Sequence, residues 1–307
     1  MKKAFLFSGQ GSQYTGMLKD IANSSTYAKE AIDRADQLLG FKLSEICFDG
    51  PEEKLRETRY TQPAIFLHSA IVFLLIKDKA DCQATAGHSV GEYAALFAAG
   101  AMDFEDALRL VSLRGELMFR AGEEIPGTMF AIIGGNDEKI EHLCKEISSA
   151  NEGIIVPANF NSPGQVVISG SRDLLREKAA EFKSAGAKMV KELNVSGAFH
   201  SPLMEPAKKE LEKAINQTKF SDANCDVYTN VYAKPARNAD DIKQSLVLQL
   251  TSPVLWTQTL LNMKEDGYEQ FIEIGPGNVL QGLAKRTVKD IQLSGIDKFE
   301  DIQAYLG

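Results

Sequence analysis

Gly87, Ser89 and Gly91 form a G-x-S-x-G pattern, the spacing of a turn that exposes a serine oxygen for nucleophilic attack. The small apolar residues 84–86 predict a short buried strand before it, and the alanine-rich stretch 92–99 predicts a helix after it. The glycines allow the tight turn and are expected to leave room above the serine for a substrate. A helix that starts there would direct its free N–H groups and the positive end of its dipole at the oxyanion that develops when the serine attacks a carbonyl group. The pattern favours a nucleophilic serine over a plain glycine-rich turn.

A nucleophilic serine needs a base, and the chain contains four histidines. His68 lies in an apolar helix where core packing is expected, and His142 falls on the polar side of another helix. His88 is next to the serine, where neighbouring side chains diverge. His200 remains, just before a Ser-Pro pair that can start a helix whose dipole would keep the imidazole neutral. The residues alone leave a general base and an ordinary loop histidine equally open at position 200.

Arg114 is a charged residue on an apolar helix face. The predicted helix 103–120 carries a stripe that includes Leu110, Val111 and Leu117, and Arg114 falls on that stripe. An inward cation is costly unless it meets an anion, and the guanidinium fork matches a carboxylate with two hydrogen bonds. The sequence leaves open a bound carboxylate, an internal ion pair, or an arginine whose head reaches solvent.

The elements around these motifs indicate an α/β fold in two parts. Short strands alternate with helices in the first part of the chain, which is typical of an α/β layer architecture. After residue 126 the order changes to β-α-β-β-α-β, the order of a ferredoxin-like unit. We therefore expect a large α/β-hydrolase-like domain, residues 1–126 and 197–307, with a ferredoxin-like small domain, residues 127–196, inserted into it.

Three helices have predicted boundaries that the structure can test. The first covers 25–39 and stops at Gly40. A strongly apolar helix, 64–76, is expected to be opened by Thr61-Gln62-Pro63 and buried against a sheet. The helix that carries Arg114 has Asp103 as its N-cap.

Composition excludes several classes of protein. The 307 residues are 44% hydrophobic and 25% charged with a net charge of −8, as in a globular protein that does not bind nucleic acid. The apolar run after the first three residues is too short for a signal peptide, and no run approaches a membrane span, so we expect a cytoplasmic protein. The cysteines are widely spaced without a C-x-x-C, which predicts free thiols rather than zinc ligands or disulfides. They are Cys47, Cys82, Cys144 and Cys225.

Seven patterns, which include the motifs described above, occur in order along the whole chain. They are GQGSQ at 9–13, GHSVGE at 87–92, RGELM at 114–118, NSPGQ at 161–165, GAFHSPLM at 197–204, Gln249 ahead of Pro253 and Trp256, and EIGPG at 273–277. Together they resemble the malonyl-CoA:acyl carrier protein transacylases of fatty-acid synthesis and the related acyltransferases of polyketide synthesis. The resemblance covers essentially the full length.

The resemblance implies a role for each matching position. Ser89 would be the acylated nucleophile, and His200 would be the general base that later acts as general acid. A backbone carbonyl at Gln249 would orient the imidazole in place of a carboxylate. The backbone N–H groups of Gln10 and Val90 would form the oxyanion hole.

Substrate recognition is implied by a second set of positions. Arg114 would bind the free carboxylate of the malonyl group, with His88, Asn161 and Gln249 completing the substrate site. Phe199, beside the base, matches the malonyl-type pattern. Docking of an acidic carrier protein would use basic positions, each of which is also compatible with a solvated surface charge. These are Lys188, Lys191, Lys285 and Arg286.

The implied reaction is a ping-pong transfer from malonyl-CoA to the phosphopantetheine thiol of holo acyl carrier protein, through a malonyl ester of Ser89. It requires no metal or redox cofactor, and the family is usually monomeric. Ser8 stands where the family usually has proline, which leaves the pathway open. An acyl hydrolase would have little use for Arg114, and a carrier-binding scaffold would have no reason to keep the Ser89–His200 pair.

Overall fold

The computed structural model describes residues 1–307 as a mixed α/β fold with two sheets. Its strands are β1 (Lys2–Phe7), β2 (Ala84–Gly87), β3 (Gly127–Ile133), β4 (Ile155–Ser162), β5 (Gln165–Ser171), β6 (Met189–Glu192), β7 (Asp226–Tyr228), β8 (Pro235–Ala236), β9 (Tyr268–Ile274) and β10 (Gln292–Ile296). Its α-helices are α1 (Lys19–Ser24), α2 (Thr26–Leu39), α3 (Leu43–Asp49), α4 (Glu52–Arg56), α5 (Thr58–Ile76), α6 (Gly91–Ala98), α7 (Phe104–Glu124), α8 (Asp137–Ala150), α9 (Arg172–Ser184), α10 (Glu205–Gln217), α11 (Ala239–Gln249), α12 (Trp256–Glu265), α13 (Val279–Thr287) and α14 (Phe299–Leu306).

The larger sheet has the order β10-β9-β1-β2-β7-β8, with every neighbouring pair parallel except β7 and β8. Its register sets Phe7, the last residue of β1, opposite both Gly87 and Ile274, the last residues of β2 and β9. Three strand ends therefore lie side by side. Ligand sites of open α/β sheets form outside these carboxyl ends, so the loops that follow the three strands meet where a site is expected.

The smaller sheet is antiparallel with the order β4-β5-β3-β6. Helices α8 and α9 separate its strands in the predicted β-α-β-β-α-β sequence. Their apolar faces pack on the sheet in a core of their own, which includes Ile140, Ile147, Leu175 and Phe182. The predicted element order of this part is thus confirmed.

Main-chain hydrogen bonds attach the smaller sheet to the larger part of the chain. The N–H of Phe160 in β4 donates to the carbonyl of Val254 at 2.9 Å, and the N–H of Val254 donates to the carbonyl of Ala158 at 2.8 Å. Val254 belongs to the short segment between α11 and α12, so an edge of the smaller sheet is attached directly to the larger part.

Two of the three predicted helices, α2 and α7, begin where the sequence predicts. The side chain of Ser25 accepts a hydrogen bond from Ala28 N–H, and α2 ends at Gly40 in the left-handed conformation. Asp103 caps α7 by accepting from Asp106 N–H, although the helix continues to Glu124 rather than ending at 120.

The predicted start of the apolar helix at 64 was wrong. Helix α5 begins at Thr58, where Glu57 O accepts from Thr61 N–H at 2.8 Å, and Pro63 lies inside it. A proline this close to a helix start removes only one intrahelical donor, so burial of the flanking turn outweighs the loss. The expectation that no apolar run approaches a membrane span was also wrong, because α5 is long and apolar enough to do so. Most of its residues are buried within the fold.

Candidate active site

The G-x-S-x-G turn connects β2 directly to α6, as the sequence predicts. The backbone of Ser89 has φ 52°, a left-handed conformation that residues other than glycine rarely adopt. Asn230 holds this turn from both sides. Its Oδ1 accepts from Ser89 N–H at 2.7 Å, and its Nδ2 donates to Gly87 O at 2.7 Å. The strained serine is therefore fixed by a residue from the loop after β7.

The glycines of the turn serve close backbone packing rather than open space above the serine. A Cβ on Gly87 would lie 2.0 Å from the carbonyl of Gly91, and a Cβ on Gly91 would lie 2.2 Å from Phe7 O. Both distances are far below van der Waals contact. The expectation that these glycines leave room for substrate is corrected accordingly, since their space is taken by the turn itself and by β1.

Ser89 and His200 are brought together. Ser89 Oγ lies 2.7 Å from His200 Nε2, while His200 Nδ1 lies 3.0 Å from Gln249 O and 3.1 Å from Ser252 O. Because carbonyls only accept, Nδ1 carries the proton and Nε2 is left to accept from the serine hydroxyl. The imidazole is oriented by two backbone carbonyls, one of them at the position expected.

Burial lowers the pKa of His200 to about 3, and the neighbouring Arg114 cation acts in the same direction. The histidine is therefore neutral and able to accept a proton across the ordinary pH range. Ser201 acts as an N-cap, as the sequence predicts, and the turn that it caps, Pro202–Met204, is a 3-10 helix that leads directly into α10.

Arg114 points inward, as the helix pattern predicts, and is 1% exposed. Its Nη1 donates to Gln62 Oε1 at 2.6 Å, and its Nη2 donates to Ser89 Oγ and to Gln249 Oε1, both at 3.0 Å. No carboxylate lies within ion-pair distance, so both alternatives, a direct internal ion pair and a solvent-reaching head, are excluded. The guanidinium is held by neutral oxygens beside the serine hydroxyl.

Glu92 is a buried carboxylate behind the pair that sequence analysis did not single out. Its Oε2 accepts from Gln249 Nε2 at 2.6 Å and from Asn230 N–H at 3.2 Å. Burial raises the pKa of Glu92 to about 7, against the opposing effect of these hydrogen bonds and of Arg114. Gln249 also donates to Ser89 O at 3.0 Å, so it links the carboxylate, the guanidinium and the serine backbone.

A cavity of about 170 Å³ opens above Ser89 between the two sheets. Half of its lining comes from the larger part of the chain and half from residues 127–196. It is lined by Gln10, His88, Ser89, Met118, Met129, Asn159, Asn161, Val167, Leu193, Val195, Phe199 and His200. His88 turns away from the serine, with Nε2 2.8 Å from Asn161 Oδ1. Neither the Gln10 nor the Val90 backbone N–H donates to an acceptor within the chain.

Comparison with known proteins shows the family of this chain. The acyl transferase domain family model matches residues 4–303. The chain is 40% identical over 304 residues to a malonyl CoA-acyl carrier protein transacylase of Staphylococcus aureus, covering 99% of this chain and 98% of the relative. It is 42% identical over 314 residues to the protein of that name from Haemophilus influenzae, with full coverage of both. The chain belongs to the malonyl CoA-acyl carrier protein transacylase family.

Solved structures of this family share the whole fold. An acyl carrier protein S-malonyltransferase from Vibrio cholerae superposes with a TM-score of 0.93 at 40% identity, covering 99% of each chain. A malonyl-transacylase in complex with its type II PKS acyl-carrier protein gives a TM-score of 0.94 at 39% identity, covering 100% of this chain and 99% of the other. The resemblance inferred from the motifs is thus confirmed.

Ser8, the departure from the family's usual proline, has a structural partner. Its buried Oγ donates to Glu273 Oε1 at 3.1 Å. The same carboxylate accepts from the N–H groups of Leu280 and Gln281, each at 3.0 Å, at the start of α13. The serine therefore connects the loop after β1 to strand β9, a link that proline cannot make.

All four basic residues implied in carrier docking are exposed, and none takes part in an ion pair within the chain. Lys188 immediately precedes β6 and Lys191 lies within it, while Lys285 and Arg286 lie on α13. Arg286 Nη1 donates to Gln165 Oε1 at 2.8 Å, which attaches α13 to the start of β5. One pair thus lies at a strand of the smaller sheet, and the other pair lies on helix α13.

Four polar residues of the site escaped the sequence analysis, namely Gln62, Glu92, Asn230 and Ser252. Glu92 lies within the GHSVGE pattern, so its motif position was a usable signal. Gln62 directly precedes a proline in an apolar stretch, which was interpreted as a helix start. Asn230 and Ser252 carry no local signal, because they reach the serine and the histidine only through tertiary folding.

Proposed function

We propose that this chain transfers a malonyl group from malonyl-CoA to the phosphopantetheine thiol of a holo acyl carrier protein. The observation that carries the proposal is the position of Ser89 Oγ, 2.7 Å from His200 Nε2 and 3.0 Å from Arg114 Nη2. A base on one side activates the hydroxyl, and a cation on the other is placed for an acyl group that ends in a carboxylate. The names of the relatives support the same substrates.

The first half-reaction acylates the serine. His200 Nε2 takes the hydroxyl proton as Ser89 Oγ attacks the thioester carbon, so that the new C–O bond forms and an oxyanion develops. The free N–H groups of Gln10 and Val90 receive that oxyanion. Its collapse breaks the C–S bond, and the proton on His200 passes to the departing CoA sulfur.

The second half-reaction reverses these steps with a different thiol. The phosphopantetheine S–H gives its proton to His200 as the sulfur attacks the ester carbon of malonyl-Ser89. The C–O bond then breaks and Ser89 Oγ recovers the proton. Neither half changes an oxidation state, and the base is an imidazole oriented by carbonyls, so the scheme calls for no redox cofactor or metal.

Arg114 selects the substrate in this scheme. The malonyl carboxylate would replace the serine hydroxyl as a partner of the guanidinium and form the charge-assisted pair that neutral acceptors cannot. Gln249 holds the guanidinium from behind, while His88 and Asn161 form the opposite wall of the cavity. An acetyl group carries no carboxylate, so it cannot replace the hydrogen bonds that the guanidinium would lose.

We further infer the organisation in which this chemistry takes place. Residues 1–126 and 197–307 form an α/β-hydrolase-like domain, and residues 127–196 form a ferredoxin-like domain, with the acyl cavity between them. Acidic carrier protein docks through Lys188, Lys191, Lys285 and Arg286. The protein acts as a cytoplasmic monomer and binds neither nucleic acid nor membrane.

Intact-protein mass spectrometry tests the proposal. Malonyl-CoA should add one malonyl group to the wild-type protein and none to Ser89→Ala, and holo acyl carrier protein should then remove it. An adduct that decays to free malonate without carrier transfer would indicate an acyl hydrolase instead. Absence of any adduct would contradict the transfer reaction and favour a non-enzymatic scaffold that binds carrier protein.

A further inference from the structure

Two cysteines outside the active site lie at the beginnings of neighbouring strands. Cys82 precedes β2 by two residues and Cys225 immediately precedes β7, and these strands are parallel with Ala84 opposite Asp226. The two Sγ atoms are 3.6 Å apart. A disulfide needs a separation of about 2.05 Å, so the sulfurs must approach by about 1.5 Å. Cys82 lies in the segment 77–83, outside any regular element, where such a shift disturbs little.

The surroundings of the pair favour reaction at Cys225. The hydrogen bond between the two sulfurs lowers the pKa of Cys225 more than burial raises it, and the Arg237 guanidinium acts in the same direction. Cys225 is itself buried, but Cys82 beside it is partly exposed, so small reagents reach the pair from the side of Cys82. The other two thiols have neither a partly exposed sulfur neighbour nor a lowered pKa. Cys47 and Cys144 are buried, burial raises the pKa of each to about 12, and neither makes a thiol contact.

We propose that Cys82 and Cys225 are a reversible disulfide-forming site that reacts with hydroperoxides. The Cys225 thiolate attacks the O–O bond, so an S–O bond forms and hydroxide or an alkoxide leaves. The Cys82 sulfur then attacks the sulfenic sulfur, forming the S–S bond, breaking the S–O bond and releasing water with its own proton. Two electrons pass from the thiol pair to the peroxide, and a dithiol reductant returns the pair to its starting state.

The position of the pair determines what its oxidation does to the protein. Strands β2 and β7 run from these cysteines toward Ser89 and Asn230, and the cross-link would form at the ends far from the site. It would tie together the two strands that hold the nucleophile without occupying the cavity. We therefore expect the oxidised protein to form the malonyl-serine ester as the reduced protein does, and to unfold at a higher temperature.

Thiol mapping of the full chain tests this proposal. The protein is treated with hydrogen peroxide and then alkylated with iodoacetamide in denaturant, which exposes the buried Cys47 and Cys144. Two cysteines should be alkylated instead of four, and proteolysis should yield one peptide pair joining residues 82 and 225. Dithiothreitol should restore four alkylated cysteines. Four alkylated cysteines after peroxide, or a cross-link that involves Cys47 or Cys144, would overturn the proposal.

Two serine variants provide the matched comparison. Cys82→Ser should form no disulfide and should instead leave a sulfenic acid at Cys225 that dimedone labels. Cys47→Ser, which removes a buried thiol without a sulfur neighbour, should form the disulfide as the wild type does. Loss of the disulfide in Cys47→Ser, or its persistence in Cys82→Ser, would contradict the assignment.

Discussion

At the scale of single residues, Arg114 has the sharpest chemical consequence, because its cation meets no anion in the protein. Arg114→Ala should lower kcat/KM for malonyl-CoA by about 100-fold or more, the value of a charge-assisted pair, while sparing transfer from acetyl-CoA. Steady-state rates with the two donors measure this ratio. Arg120→Ala is the control, since Arg120 lies on the same helix but is half-exposed and pairs only with Glu210. An unchanged malonyl-to-acetyl ratio in Arg114→Ala would remove the proposed role.

Glu92 makes stability depend on pH. Its pKa is about 7 in the folded protein against an ordinary 4.5, so the folded state holds a proton that the unfolded state has lost between these values. The stability that this proton confers is complete below pH 4.5 and disappears as pH rises through 7. Glu92→Gln should therefore gain stability relative to the wild type, by up to about 3 kcal/mol, between pH 5 and pH 8.

Urea unfolding of both proteins at the two pH values measures that difference. Comparing variant with wild type cancels the titration of all other groups. A difference that stays constant between pH 5 and pH 8 would show that Glu92 has an ordinary pKa.

The contrast between Arg114 and Glu92 shows what a sequence can predict about a site. Arg114 was recognisable because a cation on an apolar helix stripe conflicts with its neighbours. Glu92 was not, because a glutamate in the first turn of a helix is already explained by the helix dipole. Its burial depends on Asn230 and Gln249, which arrive from distant parts of the chain.

At the scale of elements, the turn between β2 and α6 depends on how closely its backbone packs. Gly87→Ala places a Cβ 2.0 Å from the Gly91 backbone, which should cost at least about 2 kcal/mol and slow acylation of Ser89. Gly282→Ala in α13 meets nothing within 4 Å and should be neutral or stabilise by about 0.5–1 kcal/mol. Thermal unfolding and the rate of adduct formation measure both effects. Equal stabilities of the two variants would mean that the turn relaxes freely.

The elements themselves were predictable where local signals agree. Helix α2 has a serine cap, an apolar stripe and a terminal glycine, and its predicted span matches the structure to one residue. Helix α5 was predicted to begin too late because proline usually marks a helix start. There the burial of 58–63 among other helices decides the outcome, and that burial is not visible in a local window.

At the scale of the whole molecule, a net charge of −8 would repel an acidic carrier protein unless basic residues collect at the cleft. Lys285→Glu combined with Arg286→Glu should raise KM for holo acyl carrier protein roughly tenfold at low salt and leave KM for malonyl-CoA nearly unchanged. Lys29→Glu, at an exposed position on α2, is the control. Equal effects of the double variant and the control would place docking elsewhere.

The hydrogen bonds between β4 and Val254 also constrain how an inhibitor can work. The Gln249 and Ser252 carbonyls that orient His200 lie at the end of α11 and in this same segment, and the segment's Leu255 N–H donates to Asn230 O at 3.0 Å. Prising the cleft apart would pull on this segment and misalign the imidazole. A wedge-shaped compound that separates β4 from this segment would therefore inactivate the enzyme without contacting Ser89 or His200.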